Sequence, residues 1–168
     1  LTFIEVHKDD GNSGTIDGLE DPWSVAISPD GMNVYAGTYT DNAVVVFSRN
    51  SSTGALTYVE THTDGAGGVD GLNATYSVAV SPDGHYVFSA AYNDSAVAVF
   101  SRNPSTGALT FIEAHKDHQY GGSIDGLKGT YAVAVSPDSK HFYAAAYNDD
   151  GLVAFESYDP PTAPGAPT

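Results

Sequence analysis

The chain has 168 residues, 41% of them hydrophobic, no cysteine, and 21 acidic residues against 6 basic ones, for a formal net charge of −15. This composition can supply a folded core, whereas the acidic excess disfavours nucleic acid and anionic lipid surfaces as partners. Disulfides and thiolate metal sites are excluded, and no apolar run has the roughly 18 residues that membrane insertion requires.

The sequence repeats three times. The segment from Leu1 to Glu5 returns at residues 56–60 and 109–113, and Ser28-Pro29-Asp30 returns at residues 81–83 and 136–138, so the period is 53 to 55 residues. A period of this length indicates supersecondary units that bury their apolar surfaces by stacking on one another.

Each repeat predicts four short strands, here called A to D. In chain order, residues 1–7 form a strand of type D, and the central copy then predicts strands at residues 76–80, 86–92, 96–101 and 109–115. Valine, phenylalanine and tyrosine are enriched in these runs, and Asn, Asp, Gly and Pro lie between them, which favours antiparallel strands joined by tight turns. The prediction is an all-β propeller with three four-stranded blades and little α-helix. A β-sandwich or a β-solenoid is the alternative.

The repeat motifs point to a known family. Ser81-Pro82-Asp83-Gly84, the strand ending in Tyr92-Asn93-Asp94, the run Ala98-Val99-Phe100-Ser101-Arg102 and the run Thr106-Gly107-Ala108-Leu109-Thr110 resemble the repeats of lactonase-like β-propellers and of related bacterial secreted and surface proteins. The resemblance implies the blade architecture. Lactonases of this kind have about seven blades, and no catalytic residue of the family can be placed on a matched motif here.

The blades are predicted to lie at about residues 1–55, 56–108 and 109–158, with a Pro/Thr-rich linker or tail at 159–168. The last blade lacks its D strand, whereas the chain begins with one, and rings of four to eight blades are usual. We therefore expect a homo-oligomer in which the strand from Leu1 to His7 is donated to another copy, as a closed dimer or a filament. The alternative is that further blades of a longer chain close the ring.

The loops between strands D and A, and those between B and C, contain 13 of the 21 acidic residues, which predicts one strongly negative face. Asp17, Asp70 and Asp125 each precede a glycine in the D–A loops. Carboxylates on flexible glycine-rich loops can bind Ca²⁺, but Asp-Gly also forms turns in which the carboxylate caps backbone N–H groups. A second repeated pattern, Glu5-x-His7-x-Asp9, suggests transition-metal ligands or a solvated strand face.

Three aromatic residues, Trp23, Tyr76 and Tyr131, occupy the same place at the start of strand A. They are predicted to lie near the channel mouth on the acidic face, where rings can stack on sugars or pack between blades. They are the candidate ligand-binding residues.

No nucleophile elbow or other catalytic motif is present. The favoured prediction is therefore a non-enzymatic extracellular or cell-surface module for self-assembly or adhesion, whose acidic face binds cations, glycans or proteins. One alternative is a lactonase-like hydrolase acting on a sugar lactone. The other is a filament subunit assembled by strand donation.

Overall fold

The computed structural model describes residues 1–9 and 16–158. In this part of the chain, eleven strands form three antiparallel sheets, which confirms the predicted all-β blades. Blade 1 contains β1 (Pro22–Ile27), β2 (Asn33–Thr38), β3 (Ala43–Arg49) and β4 (Leu56–Thr63). Blade 2 contains β5 (Thr75–Val80), β6 (Tyr86–Ala91), β7 (Ala96–Arg102) and β8 (Leu109–Lys116). Blade 3 contains β9 (Thr130–Val135), β10 (His141–Ala146) and β11 (Gly151–Glu156).

Each sheet follows the order of the chain, so consecutive strands pair as hairpins. The Ser-Pro-Asp turn joins the first two strands of every blade. In blade 2 the Ser81 hydroxyl donates to Asp83 at 2.5 Å, and the backbone N–H of Tyr86 donates to the same hydroxyl oxygen at 2.9 Å. These bonds fix the turn, and they recur in blades 1 and 3.

The core lies between the blades. One apolar cluster joins Tyr35, Val44 and Val46 of blade 1 to Leu72 and Val78 beside and within blade 2. A second cluster joins Phe88, Val97 and Val99 of blade 2 to Leu127 and Val133 beside and within blade 3. Blades 1 and 2 therefore each bury a trailing face, formed by the second and third strands, against the leading face of the next blade.

Residues 1–9 differ from the prediction, because they are assigned to no strand. A β-strand requires a neighbouring strand to share its backbone hydrogen bonds, and in the described part of the chain no strand pairs with this segment.

Blade 3 has three strands in the described residues, as predicted. Residues 159–168, the predicted linker, lie outside the described residues, as does Asp10. None of the described helices is long and apolar enough to span a membrane.

Candidate functional site: an aromatic and acidic channel mouth

The first strands of the three sheets lie side by side, and they carry the candidate aromatics on β-bulges. The pairing of β1 with β2 shifts between Pro22 and Ser24, so Trp23 is the extra residue, and β5 shifts in the same way around Tyr76. In β9, Thr130 and Ala132 pair with adjacent residues of β10, which leaves Tyr131 as the extra residue. Because a bulge redirects the side chain of its extra residue, all three rings project from the sheets at the same place.

The structure brings these three rings together in one row. The ring centroids of Trp23 and Tyr76 are 4.9 Å apart, and Tyr76 stacks on Tyr131 at 4.5 Å with an interplanar angle of 26°. Trp23 is 56% exposed and Tyr131 is 45% exposed, so the row is open to solvent. The three rings therefore lie beside one another, and their ligand-binding role stays a prediction.

A second set of rings, not predicted from the sequence, packs against this row. Tyr39, Tyr92 and Tyr147 follow the last residue of β2, β6 and β10, and each precedes an Asp by two positions. Tyr39 lies 5.4 Å from Tyr76 and Tyr92 lies 5.6 Å from it. The signal was available, because the tyrosine recurs with the same 53- and 55-residue spacing.

A cavity of about 290 Å³ opens among these rings. It is lined by Tyr76, Tyr92, Tyr131 and Tyr147. Burial raises the pKa of the Tyr76 hydroxyl, and the neighbouring tyrosines Tyr39, Tyr131 and Tyr92 reinforce this shift. The Tyr76 hydroxyl therefore stays protonated at neutral pH and can donate a hydrogen bond to a ligand.

Carboxylates surround this aromatic row. Each D–A loop is bound by two of them. In blade 2, Asp64 Oδ1 accepts a hydrogen bond from Leu72 N at 3.0 Å, and Asp94 Oδ2 accepts one from Asn73 N at 3.1 Å. The equivalent residues of blade 1 are Asp9 and Asp41, and those of blade 3 are Asp117 and Asp149. Burial raises the pKa of Asp41; the Glu20 N–H lowers it, whereas the charges of Asp9 and Asp17 raise it further.

The candidate calcium ligands Asp17, Asp70 and Asp125 do not meet one another, because each lies in the loop of a different blade. The carboxylate of Asp70 comes within 4.8 Å of Asp64 and Asp94, and Asp125 comes equally close to Asp117 and His118. At Asp70 the position beside the carboxylates is taken by the Lys116 ammonium, 2.6 Å from Asp70 and 3.7 Å from Asp94. Calcium binding at these loops stays a prediction.

The Asp-Gly pairs lie at bends of the D–A loops. Gly18, Gly71 and Gly126 have φ values of +104°, +84° and +101°, which glycine adopts without strain. Asp70 Oδ1 accepts the N–H of Gly71 at 3.0 Å.

The Glu-x-His-x-Asp pattern connects neighbouring blades. Glu60 Oε1 accepts a hydrogen bond from Leu109 N at 2.7 Å, and the His62 ring lies 5.4 Å from that of Phe100 in the next blade. The Asp of each repeat instead binds a D–A loop. In the described residues the three side chains form no common metal-ligand cluster.

A family model described as a lactonase, 7-bladed β-propeller, matches residues 2–125. The chain belongs to this lactonase family. It is 23% identical over 153 residues to a 6-phosphogluconolactonase of Klebsiella pneumoniae, a match that covers 89% of the chain and 41% of the relative. The chain thus spans about two fifths of the length of this curated relative.

Solved structures share the blade arrangement of this lactonase-family chain. The periplasmic gluconolactonase PpgL of Pseudomonas aeruginosa matches with a TM-score of 0.65 and 25% identity, over 82% of this chain and 35% of that one. The β-propeller domain of Cps50 (Swd1) from Myceliophteria thermophila matches with a TM-score of 0.59 and 13% identity, over 80% of this chain and 40% of that one. The second likeness concerns the fold alone.

These relatives correct the functional prediction. A non-enzymatic extracellular module for self-assembly or adhesion was favoured because no catalytic motif is visible, and this prediction is wrong: the family match and the relatives named as lactonases support the hydrolase alternative. The absence of a motif has a physical explanation. A propeller assembles its site from single residues on the loops of several blades, so a contiguous motif is not required.

Proposed function

We propose that this chain forms part of a sugar lactonase whose substrate lies across the aromatic row formed by Trp23, Tyr76 and Tyr131. The observation that carries the proposal is the placement of three bulge aromatics in one open row on a chain of the lactonase family. Aromatic faces bind the apolar faces of sugar rings, while their polar edges remain available for hydrogen bonds.

The chemistry requires one water molecule and no cofactor. Water attacks the lactone carbonyl carbon, a base accepts a proton from that water, the bond from carbonyl carbon to ring oxygen breaks, and the ring oxygen takes a proton to give the open hydroxy acid. In this proposal the protonated Tyr76 hydroxyl, which lines the cavity, donates a hydrogen bond to the carbonyl oxygen as negative charge develops on it.

Asp21 is the candidate base. It directly precedes β1 and lies two residues before Trp23. Its backbone carbonyl accepts the N–H of Tyr39 at 3.0 Å, and its carboxylate accepts the Thr40 hydroxyl at 2.6 Å. The same repeat position holds Ala74 in blade 2 and Gly129 in blade 3, and all three residues have a positive φ. A residue that differs between repeats is not required by the blade, and a carboxylate in this strained conformation beside the aromatic row suggests function.

The charge of this face favours an unphosphorylated lactone. Aspartates flank every described D–A loop, and the lysine nearest to them in blade 2, Lys116, is already paired with Asp70 and Asp94. A phosphate group would therefore meet repulsion at this rim, whereas a neutral sugar lactone would not.

The test is the rate of acid release from gluconolactone by the purified chain, corrected for spontaneous hydrolysis. Substituting Tyr76→Ala is expected to lower kcat/KM at least about tenfold, and Asp21→Asn is expected to lower kcat about 100-fold, the usual range for a general base. Tyr120→Ala, which removes an exposed ring of the 3₁₀ helix His118–Tyr120, is the matched control and should change nothing. Equal activity in all four proteins would contradict the proposal.

Substrate preference provides a separate test of the proposed effect of charge. The ratio of kcat/KM for gluconolactone to that for 6-phosphogluconolactone is expected to exceed one at low salt, and to fall as added salt screens the rim, since screening operates over about 10 Å at 0.1 M. A preference for the phosphorylated substrate would contradict the assignment of substrate class and leave lactone hydrolysis intact.

A further inference from the structure

The cavity between blades 2 and 3 at the channel mouth has a wall of aromatic rings. Among the described residues, its lining consists of Tyr76, Tyr92, Tyr131 and Tyr147, so no basic side chain forms part of the wall. Its volume is about 290 Å³. Pockets for drug-sized ligands span roughly 300–1,000 Å³, so this cavity suits a smaller molecule. Tyr147 is 73% exposed, which leaves the cavity open to a ligand from solvent.

The rings of this wall meet at two different angles. Tyr131 stacks on Tyr76 with an interplanar angle of 26°. Tyr92 instead stands edge-on to Tyr76, with an angle of 71° and a centroid distance of 5.6 Å. A flat row offers a ligand one surface, whereas rings at a steep angle to one another can surround a small ligand on more than one side.

A hydrogen bond and a glycine fix the position of the Tyr92 ring. Its hydroxyl donates to Asn148 Oδ1 at 3.2 Å. Both side chains lie close to Gly129, where an added Cβ would be 2.6 Å from Asn148 Nδ2 and 3.1 Å from Tyr92 Cε2. The same repeat position holds Ala74 in blade 2, so this close approach is particular to the cavity between blades 2 and 3. A ring that is already fixed loses little conformational freedom when a ligand binds.

The charge around the cavity favours a cation. Tyr92 and Tyr147 each lie two residues before an aspartate, Asp94 and Asp149, which accepts a backbone N–H of the D–A loop. Lys116 reaches Asp94 at 3.7 Å, but in the described part of the chain Asp149 pairs with no lysine or arginine. The whole chain carries a formal net charge of −15. Such a field raises the local concentration of cations at this face.

Ring faces and charge together select one class of cation. The face of a tyrosine ring carries negative electrostatic potential and attracts a cation within about 6 Å of the ring centroid, most strongly when the cation is desolvated. A quaternary ammonium group meets this requirement, because its methyl groups pack on the rings while its charge is attracted to them. A small inorganic cation holds its water more tightly and gains less from the rings.

We propose that the cavity lined by Tyr76, Tyr92, Tyr131 and Tyr147 binds a small quaternary ammonium cation. This ligand is different from the lactone of the proposed reaction, and its binding does not depend on that reaction. Since Tyr76 and Tyr131 belong to both the cavity and the aromatic row, the cation and the lactone exclude each other.

The experiment is calorimetric titration of the purified 168-residue chain with choline and, separately, with 3,3-dimethylbutan-1-ol. The second molecule has the shape of choline, but a carbon atom replaces the charged nitrogen. Choline is expected to bind at least about tenfold more tightly, because only the charge differs between the two ligands. Equal affinities, or no saturable binding of choline, would overturn the proposal. No lactone is present, so cation binding and lactone hydrolysis can fail separately.

Variants of Tyr92 test whether the ring holds the cation. Tyr92→Leu keeps an apolar side chain but removes the aromatic face, so it should weaken choline binding at least about tenfold and leave the affinity for the neutral alcohol little changed. Tyr92→Phe keeps the ring and loses only the bond to Asn148, so its affinity for choline should stay within about threefold of the parent value.

Tyr120→Leu, at an exposed ring of the 3₁₀ helix, is the matched control and should bind choline as the parent chain does. Unchanged choline binding in Tyr92→Leu, with circular dichroism showing a folded chain, would assign the cation to the loop carboxylates and overturn the aromatic site.

Discussion

Blades 2 and 3 repeat the same sequence pattern but differ in how completely their polar groups are paired. Blade 2 places Arg102 in the interface with blade 1, where Nη2 donates to Asp30 at 2.7 Å and Nε donates to Tyr35 at 2.7 Å. Blade 3 has Ser157 at this position, and the Ser157 hydroxyl and Asp83 Oδ2 are buried atoms without a hydrogen-bond partner. Repeats of one sequence therefore contribute unequal stability, and the difference lies in single residues that cross between blades.

The largest expected effect comes from removing the arginine. Arg102→Ala should lower the free energy of unfolding by about 3 kcal/mol, because it removes the buried donor that Asp30 Oδ2, Asn33 and Tyr35 share. Urea denaturation monitored by tryptophan fluorescence would measure this, since Trp23 is the only tryptophan in the sequence. Lys140→Ala, at an exposed lysine, is the control. A loss below 1 kcal/mol would mean that the guanidinium does not stabilise this interface.

A second comparison concerns the D–A glycines. A Cβ added at Gly71 would lie 2.8 Å from the Cβ of Ala114 in β8, whereas one added at Gly126 would meet only Val153, at 3.4 Å. Both glycines have positive φ, so each substitution by alanine costs about 1 kcal/mol of backbone strain. Gly71→Ala should cost about 2 kcal/mol more than Gly126→Ala because of the steric overlap. Equal midpoints of urea denaturation for the two variants would show that β8 shifts to accommodate the added methyl group at little energetic cost.

The third change introduces an arginine into blade 3 at the repeat position that Arg102 occupies in blade 2. Ser157→Arg extends a guanidinium into the cavity lined by Asp83, Ser139 and Ser157, so that it reaches the free Asp83 oxygen. We expect a gain of about 1 kcal/mol, smaller than the loss in Arg102→Ala, because Phe88 and Tyr86 stand where blade 1 offers Tyr35 and Asn33. The gain should vanish in an Asp83→Asn background. If the gain in stability persists in the Asp83→Asn background, it does not come from an ion pair with Asp83.

The sequence predicted the parts of the fold that depend on local pattern. The predicted strands of the central copy agree with β5 to β8 within one residue at each end, because apolar runs and turn residues fix strands locally. The repeat also gave Trp23, Tyr76 and Tyr131 one common position at the start of strand A, and in the structure their rings form one row. The partners of Arg102 lie about 70 residues away in another blade, so their identity depends on how the blades pack. Tyr39, Tyr92 and Tyr147 were missed because their repeat was not compared between blades, and the packing of their rings on Tyr76 depends on how the blades stack.

The smallest expected effect comes from replacing Lys116, the lysine that lies beside Asp70 and Asp94 in the acidic cluster of blade 2. Burial lowers the pKa of Lys116, but its hydrogen bond to Asp70 and the charge of Asp94 raise it more. Burial raises the pKa of Asp94; the Asn73 N–H lowers it, the charge of Asp64 raises it, and Lys116 lowers it. Lys116→Met should therefore raise the pKa of Asp94 further, and should lower the free energy of unfolding at pH 7 by about 0.5 kcal/mol.

The pH dependence identifies the cause of that loss. A carboxyl whose pKa is higher in the folded state than in the unfolded state opposes folding at pH values above both, and this opposition disappears once the pH falls below its unfolded pKa, about 4. The difference between Lys116→Met and the parent chain should therefore shrink as the pH is lowered from 7 towards 4 in urea titrations. Lys128→Met, on the same face of blade 3, should show no such trend, because its ammonium contacts the amide of Gln119 instead of a carboxylate. A difference that stays constant with pH would assign the stabilisation to packing of the lysine side chain on blade 2.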